Sequence, residues 1–203
     1  MEENSVDITD IRENLINNTT EIDFLDKNKF SSVGIEHSRQ FARRCFMKSN
    51  IYKSVVPEGD NEQSFIYKTF SFNTIAQPGC IDDISHEIYY QTLGNSLSNI
   101  CDNNKSKIYD FIVPKIYSYG NVVPYNNDDE TKTYYIKMEF MEGEPYTDEN
   151  KNKIDEVLSK LLKEEKLCHN DDKPENIFIN KNGEIIILDW GEAHILPAKK
   201  KNE

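Results

Sequence analysis

Positive charge is in short supply: 24 lysines and arginines face 36 aspartates and glutamates, leaving a formal charge of −12. A chain that grips nucleic-acid phosphates needs clustered cations, so no nucleic-acid partner is expected. Cysteine is sparse as well. Cys45, Cys80, Cys101 and Cys168 are widely spaced and form no Cys-x-x-Cys pair, which argues against a disulfide framework. Cys168 precedes His169, but no second ligand pair stands near them at zinc spacing. No run approaches the roughly 18 apolar residues of a membrane span, so no membrane partner is expected. The opening MEENSVD lacks the basic and apolar regions of a signal peptide, and a reducing cytoplasm is the expected compartment.

What is present suits a folded globule: 37% hydrophobic residues, with eleven Tyr and ten Phe in 203 residues. That length suffices for one domain of one or two lobes. Ile8, Ile11, Leu15 and Ile16 recur on one helical face, with Asp7 or Thr9 as the cap. FARRCFM, IYKSVV and SFIYKTFSF read as three antiparallel strands, the last two joined by the turn PEGDN. Ile81, Ile84 and Ile88 predict a helix from about residue 81 to 93 or beyond, which Gly94 weakens at its far end. FIVPKIYSYG and TYYIKMEFM are two further strands, joined through NNDDE. Ile154, Val157, Leu158, Leu161 and Leu162 form an amphipathic helix capped by Thr147 or Asp148. IFI and IIIL flank the turn NKNG as a hairpin.

The chemistry concentrates in His169-Asn170-Asp171-Asp172-Lys173-Pro174-Glu175-Asn176 and, further on, Asp189-Trp190-Gly191. Phosphoryl transfer needs a carboxylate to accept the proton of the attacking hydroxyl, oxygen ligands for magnesium, and a cation against the transferring group. Asp171, then Asn176 with Asp189, then Lys173 supply these. The loop lies between a helix and a hairpin whose second strand returns Asp189 beside Asn176. Two protein oxygens suffice for magnesium, which keeps several waters.

HNDDKPEN and DWG, at this separation, resemble the catalytic loop HRDLKPEN and the metal motif DFG of the protein-kinase superfamily. The resemblance implies ATP and Mg²⁺ as cofactors, Asp171 as catalytic base, Asn176 and Asp189 as magnesium ligands, His169 as a brace for the metal loop, and Lys173 at the γ-phosphate, as in Ser/Thr kinases. More weakly, it extends upstream. Lys68 stands where the family places its α- and β-phosphate lysine, and Glu87 on the next helix is its ion-pair partner. In KMEFMEGEPY, Met138 is the gatekeeper, and the backbones of Glu139 and Met141 meet adenine. The implied fold is α+β and two-lobed: a five-stranded antiparallel N-lobe sheet with one helix, and a reduced C-lobe. The implied boundaries are a helical extension over 1–40, an N-lobe over 41–141 and a minimal C-lobe over 142–203.

Three departures qualify this pattern. No glycine stands at Lys48-Ser49-Asn50, where the glycine-rich loop between the first two strands is expected, so Lys48 or Lys53 would hold the phosphates; Gly34 is a competing placement. Asn170 replaces the arginine that reads activation-loop phosphorylation. Twelve residues follow Gly191 in this sequence, with no activation segment. Such an architecture resembles minimal kinase-like effectors of bacterial pathogens and some viral kinases. It implies a protein substrate in a host cell and a host protein that completes the fold. The alternatives are a pseudokinase binding module and a small-molecule kinase of the aminoglycoside or choline type.

Overall fold

A computed structural model describes residues 7–41, 45–55, 64–101, 106–123 and 130–197, and the backbone alone of 34–41 and 45–46. In chain order the elements are α1 (Ile8–Asn17), β1 (Thr19–Thr20), β2 (Phe30–Phe41), β3 (Cys45–Ser54), β4 (Phe65–Asn73), α2 (Cys80–Ser98), β5 (Phe111–Ile112), β6 (Ile116–Val122) and β7 (Thr131–Glu139). They continue with β8 (Glu144–Pro145), α3 (Asp148–Glu165), β9 (Leu167–Cys168), β10 (Ile177–Ile179), β11 (Ile185–Ile187) and β12 (His194–Ile195). The chain divides into two compact units. One comprises Met1–Tyr89 with Pro114–Phe140, the other Tyr90–Val113 with Met141–Glu203.

The first unit is built on a sheet of order β1-β6-β7-β4-β3-β2. Its five long strands pair antiparallel, while the two-residue β1 adds to β6 in parallel. Alternation along β4 serves both faces. Phe70 joins Met47, Ile84, Ile88, Ile136 and Met138 in one core, with Ile66 against it. Phe65 and Tyr67 join Phe30, Val122 and Tyr135 on the other face. Asp7 caps α1 by accepting from the Thr9 amide, and Ile11 and Leu15 bury its apolar face.

The structure corrects the sequence-based strand map at its start. The first long strand begins at Phe30, and the helix expected within 1–40 occupies Ile8–Asn17. FARRCFM does not form one strand: Phe41 ends β2, Cys45 begins β3, and the two are paired. The connection between them therefore falls on residues 42–44, outside the described residues. All of PEGDN, most of NNDDE and the tail KKKNE also lie outside them. The sheet has six strands, not five, because Thr19 and Thr20 pair with Asn121 and Val122. Two threonines carry too short a pattern to read as a strand.

In the second unit β10 and β11 form the expected hairpin, flanked by β5 and β8. Its turn needs Gly183, whose φ of 77° disfavours any side chain. The core gathers Ile154, Val157 and Leu161 of α3 with Ile177, Ile185, Ile187, Trp190 and Leu97. Gly94 does not end α2, which runs on to Ser98. Its role is steric: a Cβ there would meet Trp190 Cζ2 at 2.7 Å. The indole is fully buried and its N–H donates to the Ile187 carbonyl at 3.3 Å, so it has nowhere to retreat.

Overpacking a core costs ~1–3 kcal/mol, more than the ~0.5–1 kcal/mol that alanine gains over glycine in a helix. Gly94→Ala is therefore expected to lower the melting temperature of the chain. In a Trp190→Phe background, where the offending ring atoms are gone, the same substitution is expected to raise it. Thermal denaturation of the wild type and the three variants checks this change of sign; the same sign in both backgrounds refutes the steric account.

Candidate functional site

Two residues of HNDDKPEN converge on one oxygen of a third. Asp171 Oδ2 accepts from Lys173 Nζ at 2.8 Å and from Asn176 Nδ2 at 2.7 Å, and Asn176 Nδ2 also donates to the Asp171 carbonyl at 3.1 Å. Both partners of that amide nitrogen are oxygens, so the NH₂ group must face them and the amide oxygen Oδ1 points the other way. Asn176 is buried, whereas Asp171 and Lys173 are part-exposed. The Leu188 amide donates to the Asn176 carbonyl at 2.8 Å, continuing the Ile177–Ile187 pairing by one step. Asp189 therefore begins at the same end of the hairpin as Asn176.

Backbone strain gathers here. Asn170 and Asp189 have φ of 65° and 56°, and among the described residues Lys166 is the one other non-glycine with positive φ. Asn and Asp tolerate this left-handed conformation better than other side chains, at a cost of order 1–3 kcal/mol each. Lys166 serves as the left-handed cap of α3.

His169 is tied to the residue before Asp189: its Nε2 lies 2.9 Å from the Leu188 carbonyl. A carbonyl only accepts, so Nε2 carries the proton. The ring meets Trp190 edge-on at 4.9 Å between centres. His169 Nδ1 is buried with no hydrogen-bond partner among the described residues. Burial lowers the His169 pKa below its ordinary value and outweighs the opposing pull of the Leu188 carbonyl and nearby carboxylates. The Tyr146 hydroxyl adds a tie that the sequence did not suggest, donating to the Asp172 carbonyl at 3.0 Å.

In the first unit, Lys68 sits on β4 between Ile51 and Ile136 of the neighbouring strands. Its Nζ meets Glu87 Oε1 at 2.8 Å, with 6% and 1% of the two side chains exposed. Met138 is buried in the same core. The Glu139 amide donates to the Lys115 carbonyl at 2.9 Å, and the chain leaves the unit between Phe140 and Met141. Lys48-Ser49-Asn50 is not a turn: it lies within β3, with Lys48 exposed opposite Ser71. Lys53 sits over the Phe140 ring, 3.5 Å from its centre. Gly34 lies within β2, opposite Ile51.

Two consequences can be measured. His169 is depressed relative to the unfolded chain, so the unfolded state binds more protons between the two pKa values. The contribution is complete above the ordinary value of about 6.5 and declines as pH falls toward the folded value. Acidification from pH 7 is therefore expected to destabilise the wild type more than His169→Phe, read as urea midpoints across pH; parallel profiles contradict it. Separately, Lys68→Met leaves Glu87 buried without its cation, a loss of ~3–5 kcal/mol, whereas replacing both partners of a buried pair by apolar groups is often near neutral. Lys68→Met with Glu87→Leu is expected to be more stable than Lys68→Met alone. A double variant no more stable than the single one argues against the pairing.

Among the described residues no helix is long and apolar enough to cross a membrane. Residues 61–203 match the model of the ABC1 atypical kinase-like domain. A probable serine/threonine-protein kinase of Dictyostelium discoideum is 29% identical over 130 residues, covering 60% of this chain and 16% of that protein. The MAP kinase kinase MKK1/SSP32 of Saccharomyces cerevisiae is 35% identical over 81 residues, covering 32% of this chain and again 16% of the relative. The chain thus aligns with only a small part of each of these relatives. With the family match spanning β4 to the DWG segment, the chain belongs to the ABC1 atypical kinase-like domain family, within the protein-kinase-like superfamily.

Proposed function

We propose that this kinase-like chain transfers the γ-phosphoryl group of ATP, with magnesium, to a serine or threonine hydroxyl of a protein. The observation that carries the reading is the convergence of Lys173 and Asn176 on Asp171 Oδ2, beside the hairpin end that presents Asp189. The names of the two relatives, both protein kinases, support a protein acceptor.

The donor set fits a hard cation: one carboxylate and one amide oxygen, the latter turned away from Asp171. Among the described residues no three His, Cys, Asp or Glu side chains gather as a closed cage. Magnesium takes its remaining ligands from phosphate and water. In this reading Asn176 Oδ1 and the Asp189 carboxylate hold the ion. When bound, Mg·ATP supplies the phosphoryl group and draws charge from it.

The chain's own residues do the rest. Asp171 orients the acceptor hydroxyl and takes its proton as the oxygen attacks. Lys173, held 2.8 Å from Asp171, places an ammonium where charge develops. Lys68, oriented by Glu87, supplies the cation for the α- and β-phosphates. Lys53, engaged with Phe140, is a weaker candidate for phosphate than Lys48.

One observation favours the binding-module alternative. The connection between β2 and β3 falls on residues 42–44, whose sequence is Ala-Arg-Arg, so no glycine gives backbone amides close approach to phosphate there. Nucleotide binding without transfer by the wild type is what that reading requires.

Asp171→Ala is expected to lower phosphotransfer by at least ~10²-fold while changing ATP affinity by a few fold at most, because a general base acts on the acceptor in the transition state. Labelled-ATP transfer and nucleotide titration on one preparation decide it; wild-type turnover in the variant overturns the mechanism. Asp189→Ala is expected to abolish the extra thermal stabilisation that Mg²⁺ adds to ATP. If metal-free ATP stabilises the wild type equally, Asp189 is not a metal ligand.

A further inference from the structure

Helix α1 has ten residues, below the ~12–15 at which isolated helices hold together in water. Its helicity therefore depends on docking, and the docking is built in detail. The Asn121 side chain donates to the carbonyls of Leu15 and Ile16, at 3.0 and 2.9 Å, and accepts from the Thr19 hydroxyl at 2.9 Å. One amide thus satisfies two carbonyls of the last turn of α1. The Asn121 amide donates to the Asn18 carbonyl at 2.8 Å, and β1 continues the contact along β6. Gly120 makes the approach possible: a Cβ there would stand 2.3 Å from the Asn18 carbonyl oxygen, a backbone atom that cannot swing aside.

The apolar face of the docked helix reaches the core that surrounds α2. Ile11 and Leu15 are fully buried in the same cluster as Cys80, Ile81, Ile84 and Ile88. Arg12 Nε meets Asp82 Oδ1 at 2.8 Å, a half-exposed tie between the two helices five residues before Glu87. Residues 8–20 lie outside the 61–203 stretch that matches the family model.

We propose that α1 and β1 form an internal brace that holds helix α2 at the depth where Glu87 reaches Lys68. Ile11, Leu15 and Arg12 are positioning residues, and Gly120 and Asn121 anchor them. The importance of the brace for turnover rests on the phosphotransfer reading; its effect on the ion pair does not. A buried ion pair demands good geometry, since desolvation outweighs a poorly aligned Coulomb attraction. With the brace docked the pair is held assembled by the chain itself; with it released, α2 loses one wall of its core and the Lys68 ammonium becomes reachable from water.

The test is acylation of Lys68 in the full chain by an amine-reactive ester, read by mass spectrometry below each variant's melting temperature. Gly120→Val evicts the Asn18 carbonyl, and Asn121→Ala removes the amide ties without adding bulk, so the second variant answers if the first does not fold. Val157→Ala, which opens a cavity under α3 in the core of the other unit, is the control for general loss of stability. The expected result is Lys68 labelling raised about fivefold or more in the released variants, and within about twofold of wild type in the control. Hydrogen exchange over 80–89 should quicken in parallel. Labelling no faster in Gly120→Val and Asn121→Ala than in the control overturns the proposal. A wild type that transfers no phosphoryl group overturns the proposed function alone, because Lys68 labelling does not require turnover.

Discussion

The bond from the Leu188 amide to the Asn176 carbonyl fixes where the chemical groups of the second unit lie. It extends the β10–β11 ladder by one pair, so that whatever precedes Ile177 and follows Ile187 is forced together. The register behind it is secured at the other end of the hairpin. Gly183 donates to the Asn180 carbonyl, and the Asn180 side chain accepts from the amides of Asn182 and Glu184. A slip of one residue would turn every side chain of the strand to the opposite face. Ile177, Ile185 and Ile187 are fully buried, so such a slip would also expose the core of the unit. Hydrophobic burial thereby specifies the placement of polar groups that it does not touch.

The same core absorbs the strain of the loop. Left-handed Asn170 and Asp189 sit beside His169 and Trp190, both buried. The imidazole and the indole each donate to carbonyls of the β11 end, at Leu188 and Ile187. Strained backbone persists only where its surroundings over-determine it. Here two aromatic rings, meeting edge to face, hold the segments on either side of the two unfavourable residues.

The sequence made the hairpin, the two longer helices, the clustering of Asp171, Lys173 and Asn176 and the Lys68–Glu87 pair legible, because each rests on local periodicity or short spacing. Alternation along SFIYKTF placed Ile66, Lys68 and Phe70 on one face, and the structure puts Phe70 in the core that Ile66 packs against. What stayed illegible depends on distant partners. Gly94 reads as a helix breaker until Trp190, far along the chain, explains it. Its place inside a good apolar periodicity was the available signal, since glycine in mid-helix needs a reason. The first strand was missed because SSVGIEHS lacks the aromatic and β-branched density of later strands, and its partner β3 supplies the pairing. Tyr146 and Asn121 act through backbone carbonyls, which leave no trace in side-chain pattern.

Lys68 and Glu87 are both buried, Lys68 paired across the sheet with Ile136 and lying over the Phe70 ring, and Glu87 next to buried Ile88 on α2. A buried charged pair is a weak device for stability, because well-packed apolar side chains of similar size commonly serve as well or better. In the proposed reading the α- and β-phosphates need a cation there, which accounts for its presence. The fold then has to offset the desolvation of both groups through the surrounding apolar burial and through the accuracy with which α2 is held. That accuracy has two sources: the apolar face of α2 itself, and the attachment of α1, tied to Asp82 through Arg12 and to β6 through Asn121. The first belongs to the stretch shared with the family, the second to the residues ahead of it. In the proposed brace, burial of α2 and docking of α1 thus act on the same ion pair from two sides.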